Sequence, residues 1–161
     1  MIKVKVFLSI ASAAALLAAF LAFPGPVLAA DTQNVYTFPK EPFQQEVIIK
    51  LLAGKREAFG SVSVPAGKRL VIEYVSARIM LPAGQKIFEA RIVTLQNAGG
   101  AEGYHYLSTN AEGSYLDSDF FSISHNLRLY SVGYAKFSFF RSDTTRSGLV
   151  NAAVSGYLVG Y

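Results

Sequence analysis

Cysteine and tryptophan are missing from all 161 residues, and histidine occurs twice, at His105 and His125. The lack of cysteine removes disulfides, thiolate metal sites and cysteine nucleophiles at once, so packing alone has to hold this chain together. The short signatures of common chemistries are absent too. No Gly-x-Ser-x-Gly marks a strained nucleophile turn, no Gly-Lys-Ser/Thr cradles a phosphate, and no dinucleotide fingerprint opens a helix. Beyond the first thirty residues no stretch sustains a helical period. These absences point away from an enzyme and away from any bound cofactor.

The N-terminus, by contrast, is strongly patterned. Lys3 and Lys5 precede an apolar run over residues 6–23, then Pro24-Gly25-Pro26 and the small residues Ala29 and Ala30. A basic start, an apolar core, a helix breaker and small residues at a cut describe a secretory signal peptide, with cleavage after Ala29 or Ala30. A retained anchor would need an apolar run of about 20 residues continuing into the membrane, and Pro24 and Pro26 interrupt it. The expected destination is the periplasm or the outside of a bacterial cell.

Removing the leader also changes the charge. Fifteen Lys and Arg face 11 Asp and Glu in the whole chain; without Lys3 and Lys5 the balance is 13 against 11, a net of +2. That is too little to argue for nucleic acid. The 131 residues after Ala30 suit one domain able to bury its own core.

The mature chain is expected to begin with an extended arm, residues 31–45, in which Pro39 and Pro42 sit among polar residues and Tyr36, Phe38 and Phe43. A domain over residues 46–161 follows. Residues 63–70 and 80–87 carry the same step, an apolar residue running into Pro-Ala-Gly, at Pro65-Ala66-Gly67 and Pro82-Ala83-Gly84. A type I turn is expected at each, with proline second and glycine fourth. Between them, residues 69–81 alternate with a change of phase. Leu70, Ile72 and Tyr74 share one face, then Val75, Ala77, Ile79 and Leu81 take over, which predicts a bulge or bend near Ser76.

Further strands are predicted over residues 46–52, 57–64, 86–95, 104–107, 120–123, 126–132, 136–141 and 150–161. In residues 86–95, Phe88, Ala90 and Ile92 oppose Glu89 and Arg91, a pair given a structural reading. Residues 97–103 and 110–119 read as loops. About eight or nine short strands in succession argue for an all-β protein, a sandwich or a barrel.

Three groups of residues are candidates for chemistry. Glu112, Asp117 and Asp119 lie close together on an expected glycine-containing loop, and Ca²⁺ takes six to eight oxygens; the spacing matches no calcium motif, and solvated carboxylates are the preferred reading. His105 and His125 lack the short spacing of zinc sites, so no metal is expected. Ser122 or Ser124 with His125 and Asp117 or Asp119 would need an oxyanion hole that no local sequence supplies. The aromatic group carries more. Tyr104, Tyr106, Tyr115 and Tyr134 lie on or beside the loops, and tyrosine offers a flat apolar face with a polar tip, suited to stacking on sugar rings or to protein interfaces.

The last residues carry two resemblances. Gly156, Val159 and Tyr161 are spaced like the closing strand of outer-membrane β-barrels, which implies a membrane barrel. Its strands would each need about 9 to 11 residues, and the segment after Gly103 is too short; the barrel is the alternative. Ser155-Gly156-Tyr157-Leu158 resembles the final strand of jelly-roll domains of the complement C1q and tumour-necrosis-factor kind. That resemblance implies a jelly roll and a homo-oligomer, a trimer.

The sequence is thus read as an exported antiparallel β-sandwich of jelly-roll type with about eight strands, a non-enzymatic binding or structural module. Its partner would be a protein or a glycan, with no nucleic acid, and a membrane only for the barrel. The expected recognition surface is the loops 97–103 and 110–119, with Tyr104, Tyr106, Tyr115, Asp117 and Asp119 as contact residues. They would come together if the strand at 104–107 formed a hairpin with its neighbours.

Overall fold

A computed structural model describes residues 39–160. The leader, residues 31–38 of the arm and Tyr161 lie outside the described residues. Nine strands follow in order: β1 (Glu41–Leu51), β2 (Glu57–Ser63), β3 (Lys68–Pro82), β4 (Ile87–Leu95), β5 (Glu102–Tyr106), β6 (Asn110–Tyr115), β7 (Ser118–Val132), β8 (Tyr134–Arg141) and β9 (Gly148–Gly160).

The strands form two antiparallel sheets, ordered β1-β9-β3-β7-β6 and β2-β8-β4-β5. The pairings are nested: β1 with β9, β2 with β8, β3 with β7, and β4 with β5. One long antiparallel ribbon folded in half and wrapped into two layers gives this order, which is the jelly roll. The ninth strand, β6, is inserted and extends the edge beside β7. Each sheet keeps two open edges, so the chain is a sandwich and not a barrel, which would need one closed ladder.

Alternation explains the core. Leu70, Ile72, Val75, Ala77, Ile79 and Leu81 of β3, with Val150, Ala152 and Val154 of β9, face Val62, Ile92, Phe137 and Phe139 of the other sheet, and all are buried. Phe137 and Phe139 stack at a centroid distance of 6.2 Å. The predicted change of phase in β3 is present, but the register breaks between Ile72 and Tyr74, earlier than Ser76. Glu73 is the extra residue. Tyr74 therefore turns away from Ile72, and its hydroxyl meets Ser124 Oγ at 2.9 Å.

Gly156 lies opposite this bulge, where a Cβ would sit 1.9 Å from the Val71 carbonyl oxygen. The glycine of the Ser155-Gly156-Tyr157-Leu158 step is there because the bulged backbone occupies the space of a side chain.

Several boundaries moved. β1 starts at Glu41, inside the expected arm, because residues 41–45 pair with β9 from Leu158 to Val154. Both Pro-Ala-Gly turns close with the amide after glycine donating to the proline carbonyl, Lys68 to Pro65 and Gln85 to Pro82, each at 3.1 Å. Proline is thus first and glycine third, with φ of 71° at Gly67 and 83° at Gly84, the type II requirement. The expected break within residues 120–132 is absent, and β7 runs through as one strand.

The expected loop at 110–119 is a hairpin. Tyr115 pairs with Ser118 across Leu116-Asp117, both at positive φ (45° and 55°), as a two-residue primed turn demands. Leucine at such a position carries no turn signal, which is why the hairpin was hidden.

Candidate binding face

The outward side of the four-stranded sheet is built by strict alternation. Because Ile92, Phe137 and His105 point inward along one row, the next row, Phe59, Ser138, Arg91 and Tyr106, points outward across all four strands. The row beside it holds Ser61, Lys136, Val93 and Tyr104. Phe88 joins them through a bulge: the β4 register shifts between Ile87 and Glu89, which releases Phe88 from the inward set where alternation had placed it with Ala90 and Ile92. Its ring meets Phe140 at 6.0 Å.

Four rings on this face are exposed, while Val93 and Ser138 in the same rows are buried. Phe59 is 67% accessible, Phe88 57%, Tyr104 49% and Tyr106 70%. Arg91 sits at its centre, its guanidinium 4.9 Å from the Phe140 ring and 5.0 Å from the Tyr104 ring. The same group pairs with Glu89 at 3.0 Å and Glu57 at 3.7 Å. Four contacts fix a planar cation between two rings, which is where a guanidinium is most favourable.

A second cluster lies along the same face. Glu102 accepts hydrogen bonds from the Tyr134 hydroxyl at 2.5 Å, the Tyr104 hydroxyl at 2.8 Å and Lys136 Nζ at 3.3 Å. The phenol of Tyr134 first, then that of Tyr104, hold its pKa down to about 2 from an ordinary 4.5. The same bonds raise both phenols, which stay protonated. The tyrosines are thereby locked with their rings standing on the sheet.

Only part of the expected contact set lies here. Tyr104 and Tyr106 are two residues apart on β5 and share the outward face. Tyr115, Asp117 and Asp119 belong to the β6–β7 hairpin of the other sheet. β6 pairs with β7 and not with β5, so the hairpin that would have joined Tyr104 to Tyr115 is not formed; the chain crosses between sheets at residues 107–109. Tyr115 is exposed. Asp119 accepts from the Gly84 amide at 2.8 Å and from Ser114 Oγ at 2.5 Å, and Ala83 N donates to the Asp117 carbonyl at 2.9 Å. Asp119 therefore ties its hairpin to the second Pro-Ala-Gly turn, and those two bonds lower its pKa.

The other candidates are dispersed. Glu112 accepts from Ser122 Oγ, and no group of three His, Asp or Glu able to hold a metal is found among the described residues. His125 Nε2 sits 3.1 Å from both the Ser108 amide and its carbonyl, whereas Ser124 is bonded to Tyr74. His105 Nε2 lies 3.2 Å from Thr94 Oγ1, and burial lowers its pKa. Phe59, Phe88, Arg91, Glu102 and Phe140 were not expected in the site. Their signal was present in the period-two pattern, since Glu89 and Arg91 were correctly placed outward; what was missing was the order of strands that sets them beside Tyr104 and Phe59.

No family model matches the chain, and neither a curated protein nor a solved structure matches it.

Proposed function

We propose that this chain is an exported, non-enzymatic binding module that docks a protein partner on the outward face of its four-stranded sheet. The observation that carries the reading is the band of exposed rings, Phe59, Phe88, Tyr104 and Tyr106, around the held guanidinium of Arg91. Aromatic and arginine anchors with a charged surround are how protein interfaces concentrate their binding energy.

The charges on this face are already neutralised by one another, Arg91 by Glu57 and Glu89, and Lys136 by Glu102. A nucleic acid would require uncompensated cations here. Two phenylalanines, with no hydroxyl or amide to bond sugar hydroxyls, favour a protein over a glycan on this surface. The non-enzymatic reading is supported by Ser122, Ser124 and His125, each engaged elsewhere. Export rests on residues 1–30, and the intact mass of the chain recovered outside the cytoplasm tests cleavage after Ala29 or Ala30.

Docking is tested by placing a photoreactive amino acid singly at positions 59, 88 and 106, and at Ile48 on the other sheet as control, in the cells that make the protein. One covalent adduct of common mass is expected from the first three positions and none from position 48. Adducts equally abundant from position 48, or adducts of this chain with itself alone, would remove the proposal.

A further inference from the structure

The five-stranded sheet is left unfinished on the side away from β1. β6 pairs with β7 only as far as Ser122, because the chain before Asn110 comes from the other sheet, where Leu107 N donates to the Ala90 carbonyl at 2.8 Å. From Ile123 to Tyr130, β7 pairs on one side alone, with β3, and no further main-chain bond to these residues is found among the described residues. At Ser131 the edge closes, since Ser131 Oγ accepts from the Leu95 amide at 2.9 Å. The result is a slot eight residues long, in line with β6.

In an antiparallel pair every second residue turns both its N–H and its C=O away from the partner strand, so this edge carries a row of unused donors and acceptors. Natural sheets blunt such an edge with proline or lysine; residues 123–130 contain neither. Leu127 and Leu129 face the core from it and stay half-buried. Beside its Arg128–Tyr130 end lies a cavity of about 460 Å³ that reaches to Thr94 of β4 and His105 of β5. An extended segment laid on this edge would complete the ladder and turn alternate side chains toward the leucines and the cavity.

The chain itself contains a segment of that length and character. Residues 31–38 precede β1 and end in Val35-Tyr36-Thr37-Phe38, four good strand formers in which Tyr36 and Phe38 would share one face and Val35 and Thr37 the other. They cannot fill the slot of their own chain. Glu41 is level with Leu158, Leu158 with Leu70, and Leu70 with Ser131, so the slot lies four strand spacings from Glu41, roughly 19 Å. The three steps from Phe38 to Glu41 reach about 10 Å.

We infer that residues 31–38 of a second copy of this chain lie along β7 from Ile123 to Tyr130 as an added strand, with Tyr36 and Phe38 turned inward. The contact is heterologous, the arm of one copy in the slot of the next, so copies add in a row. It rests on the export reading in one respect, that removal of the leader frees the arm.

The test uses the chain from Asp31 to Tyr161, so that a failure of the leader reading, seen in the intact mass, leaves it untouched. Light scattering should show assemblies that grow with concentration, and a chain starting at Pro39 should stay monomeric with an unchanged far-ultraviolet spectrum. Because the chain has no cysteine, introduced cysteines report the contact directly. Val35→Cys or Thr37→Cys, mixed with Asn126→Cys or Arg128→Cys, should form a disulfide between two chains, as neighbouring strands allow; mixing with Ile48→Cys, on the outward face of β1, should not. A chain monomeric at every concentration, assembly that survives removal of residues 31–38, or trapping as strong at position 48 would overturn the inference. So would a disulfide within one chain when Val35→Cys and Asn126→Cys are combined at high dilution, which would put the arm on its own slot. Tyr106→Ala should assemble as the native chain does; loss of assembly there would move the contact to the aromatic face and overturn the inference as well.

Discussion

Arg91 and Arg141 belong to the same four-stranded sheet and do opposite things. Arg141, at the end of β8, is fully buried. Its Nε donates to the Lys55 carbonyl at 3.1 Å, Nη2 to the Leu52 carbonyl at 2.6 Å, and Nη1 to Gln85 Oε1 at 3.3 Å and to the Arg146 carbonyl. One side chain thus ties the β1–β2, β3–β4 and β8–β9 connections into a single closed end. Arg91 instead lies between rings and carboxylates with its side chain 22% accessible. A guanidinium that has spent its donors on main-chain carbonyls is a structural tie; one stacked flat under solvent is a surface a partner can use.

The largest test of that contrast is Arg141→Ala, which takes a donor from the Leu52, Lys55 and Arg146 carbonyls and from Gln85 Oε1 at the closed end. We expect a loss of about 3 kcal/mol or more in urea unfolding. Arg141→Lys should recover less than half of it, since an ammonium cannot span the same acceptors. A loss below about 1 kcal/mol would erase the distinction between the two arginines. Next is Gly156→Ala, where the added methyl meets backbone that cannot step aside; about 2 kcal/mol is expected, read from the same unfolding midpoint.

The third test concerns Glu102, whose pKa is lowered to about 2. A depressed carboxylate stabilises the fold above its unfolded value of 4.5, and the contribution is lost as pH falls from there toward 2. The melting temperature of the native chain should therefore exceed that of Glu102→Gln at pH 6, and the gap should close by pH 2. A gap that persists at pH 2 would mean that Glu102 acts by packing and not by charge. The smallest effect is expected from Phe59→Ala and Tyr106→Ala, within about 0.5 kcal/mol of the native stability, because exposed rings leave little packing to lose. A drop as large as that at Arg141 would show that the outward rings are part of the scaffold.

Much of the architecture was legible because two-residue alternation is a local signal. The all-β class, the outward pair Glu89 and Arg91, and the buried set from Leu70 to Leu81 apart from Tyr74 were readable from neighbours in the chain. The hairpin at 110–119 was not. Its turn rests on Leu116 and Asp117 at positive φ, a conformation that residue type alone does not announce. Phe88 was misplaced for a similar reason, since a bulge shifts a residue across the sheet without changing its sequence pattern.

What the sequence determined by itself was composition and period: no cysteine to staple the chain, no helical stripe, and alternating residues that must bury one side. What only the tertiary structure decided was adjacency. Arg91 meets Tyr104 and Phe140 because β4 lies between β5 and β8, and Tyr115 was parted from Tyr104 because successive strands joined different sheets. Strand order is set by which faces bury most together across the whole chain, so no local stretch can carry it.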